Sequence, residues 1–243
     1  MRGLKNSTVM LVLAVMAVVL TGCLYPEEQM AQNQKPPKDV IINIQSVVDQ
    51  YYKETGLLPI KNSEADTPLY EKYVIDFAKL QRMNYLSDIP AAAYEMGGNN
   101  YFLIINEETD PVVKLMNLVI YQRVNDIQAA VKKYADASNG QLPKGETAYP
   151  DFWRIDYGKL NMKDPNISSL FSGQTLSAMM DAKGNVYLDY GIDVMGAVNK
   201  LDAGSKPDSS ADLRTLLVEQ SEFVPVKSTV YRLVDGEPQA FLE

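Results

Sequence analysis

Histidine is absent from this 243-residue chain, and cysteine occurs once, at Cys23. Without histidine there is no Ser-His-Asp or Cys-His nucleophile pair and no imidazole metal site. One thiol makes neither an internal disulfide nor a thiolate cluster. Basic charge is also short: 23 Lys and Arg stand against 31 Asp and Glu, a net charge of −8. An acidic chain is a poor ligand for phosphate backbones, so no nucleic-acid partner is expected. No Ser-x-x-Lys motif occurs, and Gly97-Gly98 lacks the flanks of a phosphate-cradling loop. What is present, 46% hydrophobic and 22% charged residues, is globular rather than disordered material.

The N-terminus reads as an export signal. Arg2 and Lys5 precede an apolar run at residues 9–20. That run is shorter than the roughly 20 residues a spanning helix needs, but it suits a signal h-region. Leu20-Thr21-Gly22-Cys23 follows. It resembles the lipobox of bacterial lipoproteins, in which the cysteine takes a diacylglycerol thioether and becomes the mature N-terminus. The resemblance implies a signal peptide over residues 1–22, lipid attachment at Cys23 and a palmitate-bearing anchor on the extracytoplasmic face of the cell membrane. Two acyl chains hold where one binds reversibly. Without residues 1–22 the chain keeps 21 basic and 31 acidic side chains, a charge of −10. Contact with an anionic membrane then rests on the lipid rather than on a basic patch. Residues 23–38, with Lys35-Pro36-Pro37-Lys38 at the end, read as a tether of about 50–55 Å when extended.

Beyond the tether the chain nearly repeats itself. Ile44-Gln45-x-x-Val48-x-x-Tyr51 returns as Ile127-Gln128-x-x-Val131-x-x-Tyr134, 83 residues later. Gly56-Leu57-Leu58-Pro59 returns as Gly140-Gln141-Leu142-Pro143, and Ile75-Asp76-Phe77-Ala78-Lys79-Leu80 as Ile155-Asp156-Tyr157-Gly158-Lys159-Leu160. A fourth match pairs Gly98-Asn99-Asn100-Tyr101 with Gly184-Asn185-Val186-Tyr187. This order implies an internal duplication: unit 1 at residues 39–109, unit 2 at residues 110–193 and a partial third unit at residues 194–243.

Each unit takes a structure from its pattern. Val40, Ile41, Ile44, Val47, Val48, Tyr51 and Tyr52 fall on one helical face, with Asp39 as N-cap and Gly56 as the residue after the last turn. The second helix is expected from Asp110-Pro111, through Val113, Met116, Ile120, Val124, Ile127, Val131 and Tyr134, to Gly140. A strand at residues 119–121 is the competing reading. Hairpins are expected at 91–95 with 100–105, at 176–180 with 186–190, and at 226–234 with 239–242, each around a Gly- or Asn-bearing turn. The unit is therefore helix, Gly-x-Leu-Pro turn, short helix and β-hairpin, and the fold class is α+β.

The unit resembles the globular part of type IV pilins and pseudopilins, through Tyr51…Gly56…Pro59, Ile89-Pro90 and Gly98…Tyr101. The pilin processing site is replaced by the lipobox. With its Leu20–Cys23 signal, its length and its doubled Tyr…Gly-x-Leu-Pro unit, the chain resembles the YphF-type lipoproteins of Bacillus. That resemblance brings no activity with it.

Carboxylates are the remaining catalytic currency. Asp76 and Asp156 are equivalent in the two units and would serve a glycosidase only if they met across one bond. Each has the simpler role of capping a short helix. Asp181-x-x-Gly184-Asn185 and Asp189-x-x-x-Asp193 lack EF-hand spacing, so no metal or other cofactor is expected. Tyrosine is abundant, 15 against 6 Phe and 1 Trp, and Tyr149-Pro150-Asp151-Phe152-Trp153 is a dense cluster in an expected loop. Tyr149 and Trp153 are the candidate binding residues, because such rings pair apolar area with a polar tip. The competing reading makes Phe152 and Trp153 a core plug. The expectation is a non-catalytic, membrane-anchored envelope lipoprotein that binds or scaffolds a protein or cell-wall partner. The alternatives are an Asp/Glu-dependent carbohydrate or peptidoglycan enzyme and a solute-binding lipoprotein.

Overall fold

The computed structural model describes residues 38–201 and 207–242. The expected signal peptide, Cys23 and the expected tether as far as residue 37 lie outside the described residues. The first helix, α1, spans Lys38–Thr55 and buries Ile41, Ile44, Val48 and Tyr51. It begins at Lys38, ahead of the expected cap, so Asp39 lies in its first turn instead of capping it, where an acid still suits the positive end of the helix dipole. Gly56 follows at φ 69° and donates its N–H to Tyr52 O at 2.8 Å. The left-handed φ ends the helix at little cost only because this residue is glycine. Pro59 leads to an isolated bridge between Ile60 and Ile75, and then to α2, Phe77–Arg82.

The strand that follows differs from expectation. Residues 91–95 form no strand; a 3-10 turn at Tyr94–Met96 occupies that place. Strand β1, Asn100–Ile105, pairs antiparallel instead with β2, Val112–Asn117. The sequence 110–117 thus begins as strand, and the next helix, α3, spans Leu118–Ala137 with Asn117 as its N-cap. The Asn117 side chain accepts from Ile120 N at 3.0 Å. Asp-Pro at 110–111 is a turn into the strand, not a helix start. Both faces of the β1–β2 hairpin are buried, and this explains the outcome. Phe102, Ile104, Val113 and Leu115 join Ile44, Val48 and Phe77 in one hydrophobic core, while Leu103, Ile105 and Met116 join Ile120, Val124 and Ile127 in a second. A strand buried on both faces needs an almost unbroken apolar run, which Phe102-Leu103-Ile104-Ile105 supplies.

After α3, Gly140 at φ 81° donates to Ala135 O at 2.9 Å. A four-stranded antiparallel sheet follows in the order β3-β4-β7-β8: Lys144–Tyr149, Phe152–Ile155, Ala178–Met180 and Val186–Leu188. Between them the short pair β5–β6, Ile167–Ser168 with Thr175–Leu176, closes a side loop. The backbone contacts of this region run parallel to those of the first. Bridges Ile60↔Ile75 and Val74↔Leu103 correspond to Lys144↔Ile155 and Arg154↔Met179. Asp76 N donates to Pro59 O at 2.8 Å, and Asp156 N to Pro143 O at 2.9 Å. The fourth sequence match fails this comparison. Gly184 lies between the paired strands β7 and β8, whereas Gly98 lies before β1, and the turn between β1 and β2 comes later, around residues 106–111.

The C-terminal part contributes α4, Gly191–Val198, α5, Arg214–Glu219, and the hairpin β9–β10, Val230–Val234 with Glu237–Phe241. Its linking segment runs along both earlier sheets: Leu115 N donates to Glu222 O and Leu188 N to Lys227 O, each at 2.8 Å. The fold is α+β. Among the described residues no helix is long and apolar enough to cross a membrane.

Candidate functional site

The aromatic cluster is not a loop. Tyr149 ends β3, Phe152 and Trp153 open β4, and Asp151 at φ 65° turns the chain between them. Strand alternation then separates the rings. Phe152 points inward and is fully buried, edge-on to Tyr187 at 5.7 Å between centroids. Trp153 is half-buried, and Lys144 Nζ sits 3.3 Å from the centre of its ring. The two do not form a common core plug, and Trp153 carries a cation–π contact with Lys144.

Tyr149 is committed elsewhere. Its hydroxyl donates to Asp189 Oδ1 at 2.9 Å, and Tyr231 Oη donates to the same oxygen at 2.8 Å. Gly191 N adds a third donor at 2.9 Å, and Arg154 Nη2 lies 2.7 Å from Asp189 Oδ2. A Cβ at Gly191 would overlap the Tyr149 hydroxyl, so only glycine lets α4 begin this close to β3. Burial, and next the Asp189 carboxylate, hold the Tyr149 and Tyr231 phenols well above the ordinary tyrosine range. Both therefore remain donors at neutral pH. This group of side chains is a buried lock between β3, β4, α4 and β9. It separates Tyr149 from Trp153, and the two candidate residues do not build one surface.

The carboxylates singled out by the sequence are also spent. Asp76 Oδ1 accepts from Lys79 N at 2.9 Å, and Asp156 Oδ1 from Lys159 N at 3.2 Å, each capping its own helix or turn. Hydrogen bonding to Lys159 holds the Asp156 carboxyl below the usual range. Asp181 accepts from Lys183 N, Asn185 N and Asn185 Nδ2 at 2.7–2.9 Å, and so shapes the β7–β8 turn. Asp193 accepts from Ser169 Oγ at 2.8 Å inside the protein. Among the described residues no group of acids is placed to hold a metal ion.

A cleft does form where the early and late parts of the chain meet. Its volume is about 260 Å³, and Tyr70, Glu71, Gln128, Tyr187, Arg214 and Lys227 line it. Tyr70 and Glu71 come from the 3-10 turn Leu69–Glu71, Gln128 from α3, Tyr187 from β8, and Arg214 opens α5. The charges are matched in pairs. Lys227 Nζ lies 3.1 Å from Glu71 Oε2 and 4.4 Å from the centre of the Tyr121 ring. Arg214 is buried, with Nη2 2.8 Å from Asp212 Oδ2 and its guanidinium 5.2 Å from the Tyr70 ring centre. Gln128 spends its amide on the backbone of Gly184 and Val186. Glu71 Oε1 is buried and receives no donor among the described residues. Neither Glu71 nor Lys227 carried a sequence signal, because the two stand 156 positions apart. The clue that does exist is the Pro68-Leu69-Tyr70-Glu71 turn, which sets two polar residues on a rigid corner.

Comparison with known proteins adds one match. Residues 37–117 match the YphF family N-terminal domain. That stretch runs from the residue before α1 to the last residue of β2, so it takes in α1, α2 and the whole β1–β2 hairpin. Comparison with curated proteins and with solved structures found no match. Over α1 to β2, residues 37–117, the chain is therefore similar to the N-terminal domain of the YphF family.

Proposed function

We propose that this protein is a lipid-anchored binding module on the extracytoplasmic face of the cell membrane. Cys23 holds it to the bilayer through the tether, and two copies of one helix–hairpin module, residues 38–117 and 118–190, present it to a protein or cell-wall partner. The C-terminal segment joins the two copies. The observation that carries this reading is the cleft at Glu71, Tyr187, Arg214 and Lys227, to which both modules and the joining segment contribute walls. Concave sites at the junctions between structural units are preferred places for ligands. The capping roles of Asp76 and Asp156 weigh against the paired-carboxylate enzyme, since neither is left to act on a substrate.

Metabolic labelling with palmitate tests the anchor. The native chain should take up label and partition with membranes, and Cys23→Ala should do neither, because no second thiol exists. A Cys23→Ala chain that still labels would end the proposal. Crosslinking in intact cells then tests binding: a photoreactive residue at Leu69, exposed beside the cleft, should trap a partner that the same residue at exposed Ile42 does not.

A further inference from the structure

Resting on the binding-module reading only in taking the partner to be a protein, we propose a second docking site, the groove between the β3–β4 turn and the β9–β10 hairpin. Its occupant is a segment of the partner that carries an apolar side chain flanked by Lys or Arg. The groove has a volume of about 410 Å³, larger than the cleft at Glu71. Pro150 and Asp151 form one wall, and hairpin residues between Val234 and Leu242 form the other.

Both walls are fixed by contacts already in place. Tyr149, next to Pro150, and Tyr231, on β9, donate to the same oxygen of Asp189. Thr229 Oγ1 donates to Phe241 O and ties the end of β10 to the residue before β9. Asp151 and Asp235 turn the chain at φ 65° and 50°, the geometry of tight reversals. A ligand therefore meets a preformed groove and does not have to order it.

The lining combines two properties. Val234 and Leu242 are 42% and 49% exposed. Exposed apolar side chains are ordinary when scattered, but these two stand at one cavity beside half-buried Phe241. Asp151, Asp235 and Glu237 line the same cavity. All three are exposed, and among the described residues their carboxylates have no ion pair and no hydrogen bond. Arg232 lies over the Phe241 ring, 5.0 Å from its centre, and pairs with none of them. In the cleft at Glu71 the charges answer each other; here three carboxylates face one cation.

These properties select the occupant. Burial of the apolar floor supplies affinity, and the carboxylates decide the sign of what flanks it. An anionic polymer or lipid headgroup would bring like charges together. Among the described residues no group of acids is placed to hold a metal ion, so the spread charge suits side chains spaced along a chain.

The full-length protein in a non-ionic detergent is titrated with three fluorescent peptides of equal length. Each has a Gly/Ser background and a central Lys-Leu-Lys, Glu-Leu-Glu or Lys-Ser-Lys. Anisotropy reads binding, and backbone amide shifts map it. The Lys-Leu-Lys peptide should bind roughly tenfold or more tightly than either of the others and should weaken as salt rises. It should shift the amides of Asp151, Val234 and Leu242. Asp235→Asn combined with Glu237→Gln should weaken it about tenfold. Both side chains are exposed, and Asn keeps the left-handed turn, so the fold should persist. Equal binding of either control peptide, shifts on another surface, an unchanged affinity in the double variant, or no binding at all overturns the proposal. Should the variant fail to fold, the peptide ranking and the shift map of the native protein decide. If palmitate labelling and the Leu69 crosslink succeed while no peptide binds, the groove falls and the binding module stands. Peptide binding in the groove without those two results supports the groove and removes the anchor and the cleft.

Discussion

Gln45 and Gln128, 83 residues apart, make the same bridge from a helix to a hairpin. Gln45 Oε1 accepts from Val113 N at 2.7 Å while its Nε2 donates to Pro111 O at 3.0 Å. Gln128 Oε1 accepts from Val186 N and its Nε2 donates to Gly184 O, both at 2.8 Å. In each case one amide serves two backbone groups that flank a single residue at a strand entrance, Val112 at the start of β2 and Asn185 just before β8, and no other residue type of that length offers both a donor and an acceptor in a neutral group. Gln45→Leu and Gln128→Leu should therefore each cost about 1–3 kcal/mol, since a strand N–H is left unmatched. Urea unfolding measures this, and the two variants should lose similar amounts with an unchanged m-value.

The two helix-ending glycines should also behave alike. A Cβ at Gly56 or at Gly140 would touch nothing within 4 Å, so the entire penalty of a side chain there is its left-handed backbone. Gly56→Val and Gly140→Val should each destabilise by about 1–2 kcal/mol. Gly145 is not a neutral comparison, because its Cβ would press on Arg154 O at 3.2 Å in the β3–β4 pair. Gly196 is better: it lies exposed within α4 with open space around it, and Gly196→Ala should stabilise by roughly 0.5–1 kcal/mol. Thermal unfolding of all three gives the comparison.

The lock at Asp189 should show coupling. Gly191→Ala drives a methyl group into the Tyr149 hydroxyl. Tyr149→Phe removes that oxygen together with one of the donors to Asp189. Each single substitution should destabilise, and the pair should cost less than the sum, with an interaction of roughly 0.5–3 kcal/mol in a double-mutant cycle. Strict additivity would mean that α4 shifts away from β3 instead.

The same phenols set an alkaline limit. Tyr149 and Tyr231 ionise above the ordinary tyrosine value of 10.0 in the folded protein because burial and Asp189 disfavour the phenolate. Unfolding returns them to that value. The stability they contribute is thus complete below pH 10.0 and is lost as the pH rises beyond it toward their folded values. Melting temperature should fall more steeply above pH 10.0 in the native protein than in Tyr149→Phe, and tyrosinate absorbance should show phenols that ionise only on unfolding.

Much of this protein was legible in its residues, for local reasons. The apolar spacing of Ile44, Val48 and Tyr51, and of Ile127 and Val131, defines the buried helix faces. The left-handed glycines at 56 and 140, the aspartate caps at 76 and 156, and the turns at 181–185 and 235–236 depend on side chains within a few positions of each other. Periodicity and short-range hydrogen bonding act within that range, so the α+β class could be read from them. The partner of β1 could not. Met96-Gly97-Gly98-Asn99 has the composition of a hairpin turn, and Asp110-Pro111 that of a helix start. Both local signals gave way to burial on two sides, because β1 and β2 are the shared wall of two cores and only their pairing fills both. The cleft lies at the same level. Glu71, Arg214 and Lys227 are brought together by the packing of the joining segment against β2 and β8. An ion pair across 156 residues has no period and no spacing to reveal it, and only the tertiary fold decides that it forms.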